Sequence, residues 1–253
     1  MNTVWLRNVE VGVGKPKVII PIVAAAKKEI LNKAESLLDL QFDVVEWRVD
    51  FYEDAQDITS VLDVLSGLRG ILKEVPILAT FRTKKEGGEA ELLPDKYTEL
   101  NTAMAQSGLV DAVDVEIFSG DDVVEENIRS IHRAGVAVIG SSHEFGFTPA
   151  QEELVARLRK EQEMGCDILK VAVMPHNARD VLTLLSAVEE MHSNYATQPV
   201  VAMSMSGQGV ISRLCGEAFG SAMTFGAVGQ VSAPGQIQVE ELNTVLQIIH
   251  NAM

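Results

Sequence analysis

The chain has only two cysteines, Cys166 and Cys215, and neither stands in a CxxC pair or near histidines at ligand spacing. Neither a disulfide framework nor a zinc site is therefore indicated, and both thiols are expected to be packing residues. Basic charge is also scarce, with 21 Lys and Arg against 36 Asp and Glu for a formal charge of −15. Bulk electrostatics thus argue against nucleic acid and anionic membrane surfaces as partners, so an anionic small molecule would need a local cationic site. No apolar stretch reaches the roughly 18 residues of a membrane span. The amino terminus, Met1-Asn-Thr-Val-Trp-Leu-Arg7, lacks the basic-then-apolar pattern of a leader, and a soluble, cytoplasmic protein is expected. Linkers rich in Pro, Gly or Ser, low-complexity tracts and charge-block tails are missing as well, so residues 1–253 are expected to form a single domain.

What is present is alternation. Eight short β-branched runs, Lys17–Ile22, Val44–Asp50, Pro76–Arg82, Ala112–Ile117, Val136–Ser142, Asp167–Val173, Pro199–Met205 and Ala222–Val228, are separated by amphipathic segments. Such alternation predicts a parallel sheet with crossover helices. Eight units in a chain of this length predict an α/β fold of the (β/α)8 (TIM) barrel type. Thr148-Pro149-Ala150-Gln151 reads as a capped helix start with Thr148 as the cap, and Gly165 as that helix's stop. Val239, Leu242, Val245, Leu246 and Ile249 give the last helix one apolar face. Thr3–Val13 reads as a β-hairpin that caps the barrel bottom.

Side chains alternate between the two faces of a strand. In Val44-Val-Glu46-Trp-Arg48-Val-Asp50, Val45, Trp47 and Val49 form the apolar face for the helices, which turns Glu46, Arg48 and Asp50 into the barrel. Asp114 and Glu116 share a face in the fourth run, and Lys170 shares one with Ile168 and Ala172. A barrel interior is normally filled by branched apolar residues, so these charges must neutralise one another or serve a site. A structural charge network is the competing explanation. The site is favoured because Arg48, Arg82, His143 and Met205 fall at carboxyl ends of strands, where barrel enzymes keep their chemistry. Lys170 stands in the apolar run Asp167-Ile-Leu-Lys170-Val-Ala-Val-Met174 and points to amine chemistry. Of the five histidines, His143 alone is placed at a strand end and is the candidate acid/base. Glu86, four residues past Arg82, could orient it or tune it. The other four, His132, His176, His192 and His250, are expected at the surface. Gly12-Val-Gly14-Lys15 has neither the spacing nor the Ser/Thr of a phosphate loop.

The motifs Glu46-Trp-Arg48-Val-Asp50, Phe81-Arg82-Thr-Lys-Lys-Glu86-Gly-Gly-Glu89, Ser142-His143, Ile168-Leu-Lys170-Val-Ala-Val-Met-Pro175, Met203-Ser-Met205, Gly209-Val-Ile-Ser-Arg213 and Phe219-Gly-Ser-Ala-Met-Thr-Phe225-Gly occur in this order, followed by Ser232-Ala-Pro-Gly-Gln236. The set, over essentially the whole chain, resembles the type I 3-dehydroquinate dehydratases of the shikimate pathway. The resemblance implies a homodimeric barrel that dehydrates 3-dehydroquinate to 3-dehydroshikimate through a Schiff base, with no metal or other cofactor. It further implies that Lys170 forms the imine, that His143 is general base and acid with Glu86 assisting it, and that Arg213 holds the substrate carboxylate. Glu46, Arg48 and Arg82 would bind around the ring hydroxyls, with Met203, Met205 and Phe225 lining the substrate site. Ser232 and Gln236 would belong to a lid formed by Gly229–Gln236. Two positions depart from the pattern: Glu144 replaces the usual Asp after the histidine, and Ser206-Gly207-Gln208 lacks the lysine common in relatives.

The implied chemistry suits these residue types. A protonated imine is an electron sink next to the carbon that loses its proton, and Lys170 must be neutral to form one. An imidazole can take that proton and return one to the leaving hydroxyl on the same ring face, giving syn elimination. A class I aldolase acting on a sugar phosphate is the rival imine enzyme, but it would want a phosphate site after strands seven and eight. A catalytically inert binding barrel is the non-enzymatic rival.

Overall fold

The computed structural model describes residues 2–229 and 235–253. Strands β1 (Val4–Leu6) and β2 (Val9–Val11) form an antiparallel hairpin. Strands β3 (Lys17–Ile22), β4 (Val44–Arg48), β5 (Ile77–Thr80), β6 (Ala112–Glu116), β7 (Ala137–Glu144), β8 (Ile168–Val173), β9 (Val200–Ser204) and β10 (Met223–Ala227) follow in sequence order as parallel neighbours, β10 pairing back onto β3. The ring closes between β9 and β10 through a single parallel bridge, Val200 to Ser221. It is reinforced by the Ala222 N–H donating to the Val200 carbonyl at 2.7 Å and the Ala202 N–H donating to Ser221 Oγ at 3.1 Å. A short strand β11 (Ile237–Gln238) adds to β10.

Helices α1 (Lys27–Ser36), α2 (Ile58–Leu72), α3 (Pro94–Gln106), α4 (Asp121–Arg133), α5 (Gln151–Glu163), α6 (Ala178–Asn194) and α9 (Val239–Ala252) occupy the connections, with short α7 (Val210–Leu214) and α8 (Gly216–Phe219) between β9 and β10. The parity read from the sequence holds. Val45, Trp47, Val49, Val113, Val115, Leu169 and Val171 pack outward with the helices in one core. Ile19, Val44, Leu78, Ala112, Ile139, Ile168, Val201 and Met223 fill the barrel interior in a second.

The interior is layered along the strands. Its lower layer is apolar and is plugged by the hairpin, whose Leu6 and Val11 are fully buried against it, each contributing roughly 1.5–3 kcal/mol. Two strand positions further on, the same inward parity carries Glu46, Thr80, Asp114, Ser141 and Lys170, all buried. The bottom is tied by a device the sequence reading did not find. Asp43, Asp111 and Asp167 directly precede β4, β6 and β8, and each carboxylate accepts the N–H of a residue at the start of the preceding strand: Val18 at 2.7 Å, Ile77 at 2.8 Å and Val138 at 2.7 Å. These donors at the strand starts are thereby satisfied.

Some boundaries differ from expectation. β4 stops at Arg48, and Asp50 lies in a 3-10 turn, Val49–Phe51, where it caps the neighbouring loop. β7 runs to Glu144, so His143 lies within the strand rather than after it. Thr148 is not the cap of α5: that place is taken by Ala150 without a side-chain bond, while Thr148 Oγ1 donates to the Met174 carbonyl at 3.0 Å and ties the β7 and β8 exits together. Gly165 does follow the end of α5 with φ of 90°. The last helix buries Val239, Leu242 and Leu246, with Val245 and Ile249 only partly covered.

Candidate active site

Lys170 projects from the middle of β8 into the barrel and is 4% exposed. Its Nζ lies 3.0 Å from Asp114 Oδ2 on β6 and 5.2 Å from the centre of the Phe225 ring on β10. Asp114 also accepts from Ser141 Oγ at 2.6 Å and pairs with Arg82 Nη2 at 2.8 Å. Burial alone would raise this carboxyl, but Arg82 and then Lys170 outweigh it and hold the group well below the usual carboxylate range. Asp114 is thus an anion under the candidate nucleophile.

Arg82 is the centre of a charge cluster. Besides Asp114 it reaches Glu116 at 3.0 Å, Ser141 Oγ at 3.0 Å and, more loosely, Glu86 at 3.7 Å. Glu116 is further held by the Thr83 N–H at 2.8 Å and Thr83 Oγ1 at 2.6 Å. Arg82 borders the cavity that Lys170 faces, yet both of its terminal nitrogens are committed to protein partners. The structural charge network weighed at the sequence level is therefore present, and it coexists with the cavity.

His143 lies on β7, beside Ala172 in the register with β8, and its Nδ1 is 2.9 Å from Glu86 Oε2. Phe145 stacks alongside the ring at 6.4 Å. Burial, then the Arg82 and Lys170 cations, hold His143 well below its ordinary value. Burial pushes Glu86 up to about 8 against the opposing pull of Arg82. The pair therefore resists separated charges, and with Nδ1 engaged the Nε2 atom is left for a substrate. Glu86 is delivered by a 3-10 turn, Lys84–Glu86, directly after β5. The loop returns so closely that a β-carbon on Gly88 would lie 1.9 Å from the Arg82 carbonyl oxygen, which only glycine permits.

Above these groups Arg48 forms a fork with Asp50, Nε and Nη2 each at 2.8 Å, and Glu46 accepts from Thr80 Oγ1 at 2.9 Å. Arg213, on α7, is buried, and that burial draws its guanidinium down to about 10. Met203, Met205, Phe225 and Ala172 give the cavity an apolar wall, and Gln236 reaches it from the loop after β10. Eleven expected site residues, Glu46, Arg48, Arg82, Glu86, His143, Lys170, Met203, Met205, Arg213, Phe225 and Gln236, thus line one cavity. Ser232, the remaining one, and most of the expected lid lie outside the described residues. The other four histidines are exposed. The sequence reading missed Asp114 as the partner of Lys170, although its inward parity was visible. It also missed Phe145, for which nothing beyond its place next to a strand end gave a signal.

The two departing positions are both accounted for. Glu144 Oε1 accepts the Gly146 N–H at 3.0 Å and closes its own turn. Ser206 adopts φ of 61°, and Gly235 packs so tightly on it that a β-carbon there would lie 2.1 Å from the Ser206 carbonyl oxygen. The altered loop is thus the seat of the returning end of the expected lid.

A parallel barrel with an amine, an imidazole and guanidinium groups at the carboxyl ends of its strands defines the class, a (β/α)8 enzyme equipped for imine chemistry. The family model for type I 3-dehydroquinase matches residues 18–253, and the chain belongs to that family. A 3-dehydroquinate dehydratase of Clostridioides difficile is 50% identical over 250 residues, 99% of this chain and 98% of the relative. One from Salmonella typhimurium is 50% identical over 252 residues, covering 100% of both chains. Among solved structures, the type I 3-dehydroquinate dehydratase of Clostridium difficile with covalent modified comenic acid superposes with a TM-score of 0.97 at 49% identity, covering 100% of this chain and 99% of that one.

Proposed function

We propose that this enzyme dehydrates 3-dehydroquinate to 3-dehydroshikimate, with Lys170 as the imine-forming amine and His143 as general base and acid. The observation that carries the assignment is the buried Lys170 amine facing the same cavity as the His143–Glu86 pair on the adjacent strand. In the first half of the cycle the amine attacks the substrate ketone and a water leaves, forming a protonated imine. His143 Nε2 then takes a proton from C2, and the released electron pair neutralises the iminium to an enamine. That pair next expels the C1 hydroxyl, which leaves as water with the proton from His143. Hydrolysis of the imine frees the enone product and restores Lys170.

Asp114 stabilises the cationic nitrogen of the imine, replacing the water that the buried site excludes. Glu86 orients His143 and shares its proton. Arg213 offers a planar fork for the substrate carboxylate, Arg48 and Glu46 address ring hydroxyls, and the methionines and Phe225 pack the ring. Gln236 reaches over it from the loop after β10. The same reading takes residues 1–253 as one catalytic domain and the enzyme as a cytoplasmic homodimer, as the family resemblance implies. The sugar-phosphate aldolase is set aside by membership of the family. Purified protein mixed with 3-dehydroquinate should generate the ultraviolet absorbance of a conjugated enone; its absence would refute the assignment.

A further inference from the structure

One ionisable group at the centre of the molecule has no part in the chemistry above. Glu161 belongs to α5, on the helix side of the sheet, and is fully buried. Its Oε2 accepts the backbone N–H of Lys170 at 2.8 Å. Its other oxygen, Oε1, makes no hydrogen bond of ordinary geometry, and neither does the buried hydroxyl of Ser142, the residue that precedes His143. Burial pushes the carboxyl well above the usual range, although the Lys170 N–H and the Ser142 hydroxyl both pull it down. The carboxyl thus lies against both strands at once, with the Lys170 N–H on β8 and the Ser142 hydroxyl on β7. An apolar side chain would cover the sheet without the desolvation cost of a buried carboxyl, so its presence under these two strands calls for a role.

We infer that Glu161 is a positioning residue for the reaction, joining β8 at the backbone of Lys170 to β7 at the hydroxyl of Ser142 and so setting the spacing of the amine and the imidazole. The inference rests on the roles proposed for Lys170 and His143. The carboxyl touches no substrate; it acts through the two strands, whose register places Ser142 opposite Val171 and His143 opposite Ala172. A shift of an ångström between reacting groups costs about a hundredfold in rate, whereas binding of the ring and carboxylate uses other residues.

The test compares Glu161→Gln, Glu161→Met and Ser142→Ala with the unaltered enzyme, reading kcat and KM for 3-dehydroquinate, thermal stability, and the rate at which borohydride traps the covalent intermediate. Glu161→Gln keeps a carbonyl for Lys170 and an N–H for Ser142, and is expected to retain kcat within about twofold. Glu161→Met is expected to lose about a hundredfold in kcat with KM nearly unchanged, and Ser142→Ala about tenfold. Ser142→Ala removes one oxygen and folds even where Glu161→Met does not, so the decision never depends on the methionine variant. Normal kcat in Ser142→Ala, or a Glu161→Gln as impaired as a folded Glu161→Met, would overturn the inference. Lys170→Ala run alongside separates the two levels: full turnover in that variant would defeat the assignment of Lys170 itself.

Discussion

Replacing Arg82 by Gln would distinguish a substrate ligand from the keystone of a charge network. Arg82 is 3% exposed and faces Asp114 at 2.8 Å, Glu116 at 3.0 Å and Glu86 at 3.7 Å. Arg82 is the partner shared by the buried Asp114 and Glu116 carboxylates, while Lys170 reaches only Asp114. Arg82→Gln leaves one buried carboxylate uncompensated, a loss of about 3–5 kcal/mol in stability. At roughly 2–4 °C per kcal/mol for a chain of this size, the midpoint of thermal unfolding should fall by about 6–20 °C. The assay is calorimetry or denaturant unfolding, paired with steady-state kinetics on the folded fraction. Adding Asp114→Asn should recover part of the loss, because the second substitution removes the charge the first one stranded. If Arg82→Gln raised KM while leaving the unfolding midpoint within about 1 °C, the network account would be wrong and Arg82 would be principally a substrate ligand.

The Glu86 carboxyl gives a pH-dependent prediction. Its folded value of about 8 lies above the 4.5 of a free carboxyl, so the folded protein holds a proton that the unfolded chain has released, and this contribution is lost as pH rises through that window. His143 runs the other way, because its folded value is below 6.5, and stability gained from it is complete once the unfolded ring is neutral. Between about pH 7 and 8 unfolding measurements should therefore show stability falling with pH, and Glu86→Gln should flatten that slope; an unchanged slope would place the shifted proton elsewhere. His143→Ala should cripple dehydration yet still allow borohydride trapping, since the imine forms without it. Dehydration by that variant near the normal rate would move the base to another residue, Glu86 first.

Much of this was legible before the structure, because the β/α alternation and strand parity are local properties. Trp47 facing the helices and Glu46 facing the cavity follow from the two-residue repeat of a strand, and one parity argument placed Asp114, Glu116 and Lys170 on inward faces. What parity cannot give is partnership. Lys170 meets Asp114 across a separation of 56 residues, and Arg82 meets Ser141 across 59, contacts between strands two apart that only the pairing and curvature of the sheet bring together. The three aspartates that tie the barrel bottom were hidden because each looks like an ordinary residue at a strand start. Thr148 was misread for a related reason. Its local pattern fits a helix cap, but the Met174 carbonyl, brought close by the β7–β8 pairing, offers its hydroxyl a tertiary partner. Glu161 shows the limit most clearly, as a glutamate on an amphipathic helix would be assigned to solvent from sequence.

The central claim is a covalent bond at one amine. Borohydride added to the protein together with 3-dehydroquinate should inactivate it, and peptide mass mapping should find one reduced substrate adduct, on Lys170. Substrate-dependent labelling of Lys84, Lys85 or another lysine, or turnover that borohydride leaves untouched, would contradict the account.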